Sequence, residues 1–201
     1  HEVAADLNGD GYPDVISFDN NAGVRARSGL DGSQLWSADR TGATDCTVNS
    51  GNGMDHRVLA DLDDSGHPTL ALTSKCTREG STWHDSVIAF DHLGKVKWVS
   101  PPLSKPHPDI RRGATPVPPG GFTPGGLAGQ RGLSVARLTA GGAPVLLLRA
   151  EIPVNDGYSY YVDAANVIGS LAALDVATGT IGAEVRLGYP LHAGAVATAG
   201  G

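Results

Sequence analysis

The chain has 201 residues, among them 28 glycines and 13 prolines, with 40% apolar residues and a formal net charge of −6. Glycine and proline make up about a fifth of it, against roughly 12% in average usage, so the chain is rich in turns yet keeps enough apolar residues for a core. The acidic balance argues against a nucleic-acid partner, which would need a basic stripe. No apolar run approaches the ~18–20 residues of a membrane-spanning helix; the longest, Pro144 to Leu148, stops at Arg149.

Met54 is the only methionine, and the chain opens on His1. It reads as a processed product or a piece of a longer chain.

The first element is an apolar stretch, Val3-Ala4-Ala5, running into Asp6-Leu7-Asn8-Gly9-Asp10-Gly11-Tyr12-Pro13-Asp14-Val15. The same pattern returns as Val58-Leu59-Ala60-Asp61-Leu62-Asp63-Asp64-Ser65-Gly66-His67-Pro68-Thr69-Leu70. A fainter copy spans Ser134 to Leu146, and a fourth begins at His192 to Ala197. A second element follows each full copy. It reads Val24-Arg25-Ala26, a turn ending Asp31-Gly32, then Leu35-Trp36; next Val87-Ile88-Ala89, Leu93-Gly94, Lys97-Trp98; then Leu171-Ala172-Ala173, Thr178-Gly179, Gly182-Ala183. The in-register tryptophans read as packing between repeats.

Each repeat thus holds four short apolar stretches, rich in Val, Leu and Ile and bounded by Gly, Pro, Asp and Asn, which read as strands. Four strands per unit in successive units is the pattern of propeller blades. The expected fold is all-β: a partial β-propeller of three four-stranded antiparallel blades plus the first strand of a fourth. Its blades fall at about 1–40, 56–103 and 131–187, with the start of the next at about 191–201. Three blades do not close a ring, since propellers have about four to eight. Further blades of a longer parent chain, or self-association, are the expected complements. Helix should be nearly absent.

Asp6, Asn8 and Asp10 alternate along a tight turn, Gly9 and Gly11 permit positive dihedrals, and Asp14 and the carbonyl of Tyr12 complete an all-oxygen set. Hard oxygens at this spacing suit Ca²⁺. A solvated Asp-Gly hairpin turn is the alternative. The second loop offers a poorer set in Asp61, Asp63, Ser65, His67 and Thr69. The third has Arg137 where the first aspartate stood, and is expected to be metal-free.

This strand and loop together resemble the FG-GAP/VCBS repeats of calcium-bearing β-propellers, as in integrin α-subunit heads and, more distantly, rhamnogalacturonan lyases. The resemblance implies calcium as a structural cofactor, an extracellular or cell-surface location, and ligand binding on the face opposite the calcium loops. Copy three departs from the motif at every ligand position.

Blade connectivity places the Asp-rich turns on one face and the long connections 40–55, 74–86, 103–131 and 150–168 on the other. Long irregular loops often carry function. Cys46 and Cys76 both fall there. They form no Cys-x-x-Cys pair, leaving two buried thiols or one disulfide, and their shared face favours the disulfide.

Ligand-binding candidates on that face are His56 and His192 at the start of first strands, equivalent to His1, and Trp83-His84, out of register with the packing tryptophans. Arg111 and Arg112 could pair with carboxylates. Glu151, Tyr158, Tyr160 and Tyr161 suit stacking and hydroxyl hydrogen bonds to sugars. The plain alternatives are strand capping for the histidines, a solvated Pro/Gly linker for Arg111 and Arg112, and an aromatic packing cluster for the tyrosines. The leading reading is a secreted calcium-stabilised propeller that binds glycan or extracellular protein. A polysaccharide lyase acting on an acidic glycan and a purely structural repeat segment are the alternatives.

Overall fold

A computed structural model describes residues 3–19, 23–38, 46–47, 57–78, 82–101, 128–137, 142–153 and 167–187. Within them every regular element is a strand and none is a helix. The first sheet runs β1 (Val3–Ala5), β2 (Asp14–Asp19), β3 (Gly23–Arg27) and β4 (Gln34–Ala38), each antiparallel to the next. The second sheet adds β5 (Cys46–Thr47) to β6 (Arg57–Ala60), β7 (Thr69–Arg78), β8 (Thr82–Phe90) and β9 (Val96–Val99). Both β5 and β6 pair with the same edge of β7, so its first strand is built from two pieces. The third sheet is β10 (Ala128–Arg137), β11 (Pro144–Pro153), β12 (Val167–Asp175) and β13 (Ile181–Leu187). The expected start of a fourth blade, 191–201, lies outside the described residues.

Side-chain alternation makes the second sheet a middle layer. Leu70, Leu72, Ile88 and Phe90 pack against Ile16, Val24 and Ala26 of the first sheet. Their neighbours Ala71, Val87 and Ala89 face the other way, against Leu146, Leu148, Ala172 and Leu174 of the third. A period of two with both phases apolar is what a strand buried on two faces requires. The far face of the first sheet breaks this rule. Ser17 pairs with Arg25 where Leu72 pairs with Ile88, and Val15 pairs with Arg27 where Leu70 pairs with Phe90.

The tryptophans join sheet to sheet by the same contact twice. The Trp36 indole N–H donates to the His92 carbonyl at 2.9 Å, and that of Trp98 to the Val176 carbonyl at 2.8 Å. Each ring lies over the turn glycine of the following sheet. A β-carbon on Gly94 would come within 2.6 Å of Trp36, and one on Gly179 within 2.3 Å of Trp98. Both glycines also hold positive φ, 76° and 71°. Ala183 occupies the tryptophan's place in the third sheet.

Two segments expected as loops are strands instead. Residues 74–78 pair with 82–86, ending at Arg78 opposite Thr82. Residues 150–153 pair with 167–170. Residues 74–78 and 82–86 are mostly polar, whereas 150–153 and 167–170 include Ile152, Val167 and Ile168. An antiparallel hairpin that projects past the core needs no apolar face, and Thr, Trp, Val and Ile favour the extended backbone. As a result β7 and β8 have 10 and 9 residues, and β11 and β12 likewise, against 6 and 5 in β2 and β3. At about 3.4 Å per residue, four extra residues carry each hairpin roughly 14 Å farther.

Candidate functional site

The two Asp-rich loops lead from β1 into β2 and from β6 into β7. In the first, Leu7 turns into the core between the first and second sheets, and Leu62 of the second loop does the same one layer on. That anchor leaves the intervening polar residues exposed, turning through Gly9 (φ 79°) and Gly11 (φ 85°).

The carboxylates of the first loop are oriented by its own amides. Asp6 accepts N–H groups from Gly9 and Gly11 at 2.7 and 2.9 Å. The Gly11 amide, with that of Gly9, holds its carboxyl below the usual range. Asn8 accepts from the Asp10 amide and donates to the Asp10 carboxylate, which accepts the Tyr12 N–H at 2.8 Å. Tyr12 is itself exposed. Asp14 differs from the rest. It is fully buried, and its two oxygens accept the amides of Leu7 (2.8 Å) and Gly29 (3.0 Å). It therefore ties the Asp-rich loop to the turn between β3 and β4. Gly29 is required at that join, because a β-carbon there would lie 1.9 Å from the Pro13 carbonyl oxygen.

Asp14→Ala would leave the buried Leu7 amide without an acceptor, at a cost of about 1–3 kcal/mol, and would free the part-buried Gly29 amide as well. We expect a lower denaturation midpoint for Asp14→Ala in calcium-free buffer. An unchanged midpoint would show that Asp14 does not hold the frame.

The second loop is built differently. Asp61 accepts from Ser65 and Gly66, at 3.0 and 2.7 Å, as Asp6 does from its own loop. Asp63, however, meets the Lys97 ammonium at 2.6 Å, and the same ammonium lies 3.3 Å from the Thr69 hydroxyl. Ser65 Oγ accepts the His67 amide, and the His67 ring stacks on His92 with centroids 4.1 Å apart. Lys97 is the extra residue of a bulge between β8 and β9, where pairing jumps from Ala89–Trp98 to Phe90–Val96. Bulges re-aim side chains. The same skip leaves out Leu35 in the first sheet and Gly182 in the third. In the third loop, Arg137 reaches the Gly142 carbonyl at 2.7 Å and Asp64 of the second loop at 3.2 Å. Asp64 holds φ 55°, the left-handed conformation that Gly9 has at the same place in the first loop.

The Lys97 hydrogen bond, with help from Ser65, lowers the Asp63 carboxyl from 3.8 to about 2. A depressed carboxylate stabilises the fold above its unfolded value, and that contribution is lost as pH falls from about 3.8 towards about 2. The pair is partly exposed, so its worth is no more than about 1 kcal/mol. Lys97→Met should lower stability by that order near neutral pH, with the gap to wild type closing at about pH 2. A gap that persists there would mean that lost packing, not charge, causes it.

Among the described residues no group of three or more His, Cys, Asp or Glu side chains converges as a metal cluster. The physical reason is local: the first-loop acids turn to their own amides, and Asp63 turns to Lys97.

At the opposite end, the β5–β7 register sets Cys46 directly across from Cys76. Trp83 and His84 lie on β8, opposite Thr77 and Cys76, and so belong to a strand extension, not a loop. Glu151 lies on β11 opposite Gly169. His56, His192, Arg111, Arg112, Tyr158, Tyr160 and Tyr161 lie outside the described residues. Sequence reasoning missed three contributors: Lys97, Gly29 and the structural role of Asp14. For Lys97 a signal was available, since it directly precedes the in-register Trp98.

Comparison with protein-family models, curated proteins and solved structures returns no match.

Proposed function

We propose that the chain is a run of propeller blades, stiffened by calcium at the first loop, that binds an extracellular glycan or protein at the opposite end. The observation that carries this reading is the asymmetry of the sheets. The Asp-rich turns end one side, and the β7–β8 and β11–β12 hairpins extend past the short β2–β3 hairpin on the other. The twice-repeated tryptophan contact supports a regular blade-to-blade relation. A further blade on the far side of the first sheet would have to bring acidic partners for Arg25 and Arg27, because burying guanidinium charge without a counter-charge is costly and the Gly32 carbonyl that accepts from Arg27 is neutral.

The first loop suits a hard cation. Its donors are all oxygens, on a glycine-permitted turn, with Asn8 and Asp10 exposed and Asp6 half-buried. Those side chains and the Tyr12 carbonyl would hold the ion. Asp14 frames the loop, and each of its oxygens keeps a second lone pair. Bound calcium would supply rigidity, not chemistry.

The test is a glycan-array and extracellular-protein binding screen with the oxidised chain, repeated on Trp83→Ala, Arg112→Ala and Tyr160→Ala. We expect weaker ligand capture with unchanged melting temperature and calcium affinity. Loss of capture on Asp10→Ala but not on these variants would place recognition at the metal loop. Release of unsaturated uronate from an acidic polysaccharide would convert the binder into a lyase.

A further inference from the structure

The first loop, the second loop and the Arg137 end of β10 solve their charge in three ways. The first has Asp6, Asp10 and Asp14, and Leu35 at the bulge position beside its tryptophan. The second keeps Asp61 and Asp63, and there the bulge residue is Lys97, with its ammonium between Asp63 and Thr69. Thr69 holds the place that Asp14 holds in the first loop. The third places Arg137 where Asp6 and Asp61 stand, with its guanidinium on the Gly142 carbonyl and on Asp64.

We infer that the second and third loops carry their cations within the chain itself, as the Lys97 ammonium and the Arg137 guanidinium, so that neither takes a metal ion. The second loop would otherwise be a poor calcium loop of the kind the motif implies. Its donors do not fit an added divalent cation, because an ammonium already sits against the Asp63 carboxylate at 2.6 Å. A second positive centre there would be repelled, and Lys97 would have to leave before it entered. The adjacent aspartates divide the work. Asp63 turns to Lys97 of its own sheet, while Asp64, in its left-handed conformation, turns to Arg137 of the next. Short polar side chains are the ones that tolerate that conformation without glycine. The joint between the second and third sheets thus has charge contacts that need no metal, so that of the two Asp-rich loops only the first is left to respond to calcium.

The test uses Asp10→Ala as background, so it does not rest on calcium binding at the first loop. Asp10 is exposed and the Lys97 side chain partly exposed, so these variants should fold. Ion uptake is measured by calorimetry, and melting temperature is compared in EDTA and in excess calcium. Adding Lys97→Met to Asp10→Ala should raise uptake by one ion and make melting calcium-dependent, by about 2–4 °C for each 1 kcal/mol of rescue. Lys97→Arg should gain nothing, and the gained ion should be lost again on Asp61→Ala. Either of two results overturns the inference: no added uptake with Lys97→Met, or uptake by Asp10→Ala alone that Asp61→Ala abolishes. If the first loop itself binds no calcium, wild type and Asp10→Ala will match, and the gain of one ion is still expected.

Discussion

Trp98→Ala is expected to lower the unfolding free energy by about 3–5 kcal/mol, the range for truncating a large buried aromatic. The ring is 7% exposed and packs in the core shared by Leu62, Val87, Leu146 and Leu174, so its loss opens a cavity between the second and third sheets. It also removes the donor to the Val176 carbonyl. The void cannot simply close, because the turn beneath is shaped for the ring. Gly179 has positive φ and no room for a β-carbon while the indole is present. Trp36→Ala should cost less, because Trp36 is only partly buried. Paired urea titrations check this order. A Trp36 variant as damaging as the Trp98 variant would mean that the two contacts, alike in hydrogen bonding, are not ranked by burial.

Breaking the Cys46–Cys76 connection should have a comparable effect. Residues directly opposite in an antiparallel pair have Cα atoms about 4.5–5.5 Å apart, inside the range a disulfide spans. The bridge would pin the short β5 to the edge of β7 and close a loop that contains β6. By chain entropy a loop of this length stabilises by roughly 3–4 kcal/mol. Cys76→Ser, or reduction, should therefore lower the midpoint of oxidised material strongly. Thiol titration under denaturing, non-reducing conditions should find neither cysteine free. Two titratable thiols in protein prepared under oxidising conditions would exclude the bridge.

Much of the sheet architecture was legible from the sequence, because repetition supplies its own control. The same apolar-turn-proline pattern in three copies located first and second strands that no single copy would have established. The tryptophans were recognisable as packing residues for the same reason, and the structure seats both on the turn of the next sheet. The hairpin extensions were not legible. Residues 75–78 and 82–85 are mostly polar and show no apolar alternation, so the strand pairing there is visible only through the partner strand. In the loops, donor spacing could be read but the contacts could not. Asp14 and Asp10 look equivalent in the motif, yet one is buried against the Leu7 and Gly29 amides and the other is exposed. Gly29 lies 15 residues from Asp14, so no local pattern connects them. Lys97 lies 34 residues from Asp63, and only the bulge before Trp98 brings it to the loop.

The measurement that bears most directly on the whole account is a calcium titration of the oxidised chain followed amide by amide in ¹⁵N–¹H spectra. Saturable shifts are expected at Asp6 to Asp14, carried through Gly29 to the turn between β3 and β4, and none at Asp61 to Thr69. Spectra that do not respond to calcium, or that respond first at the second loop, would contradict it.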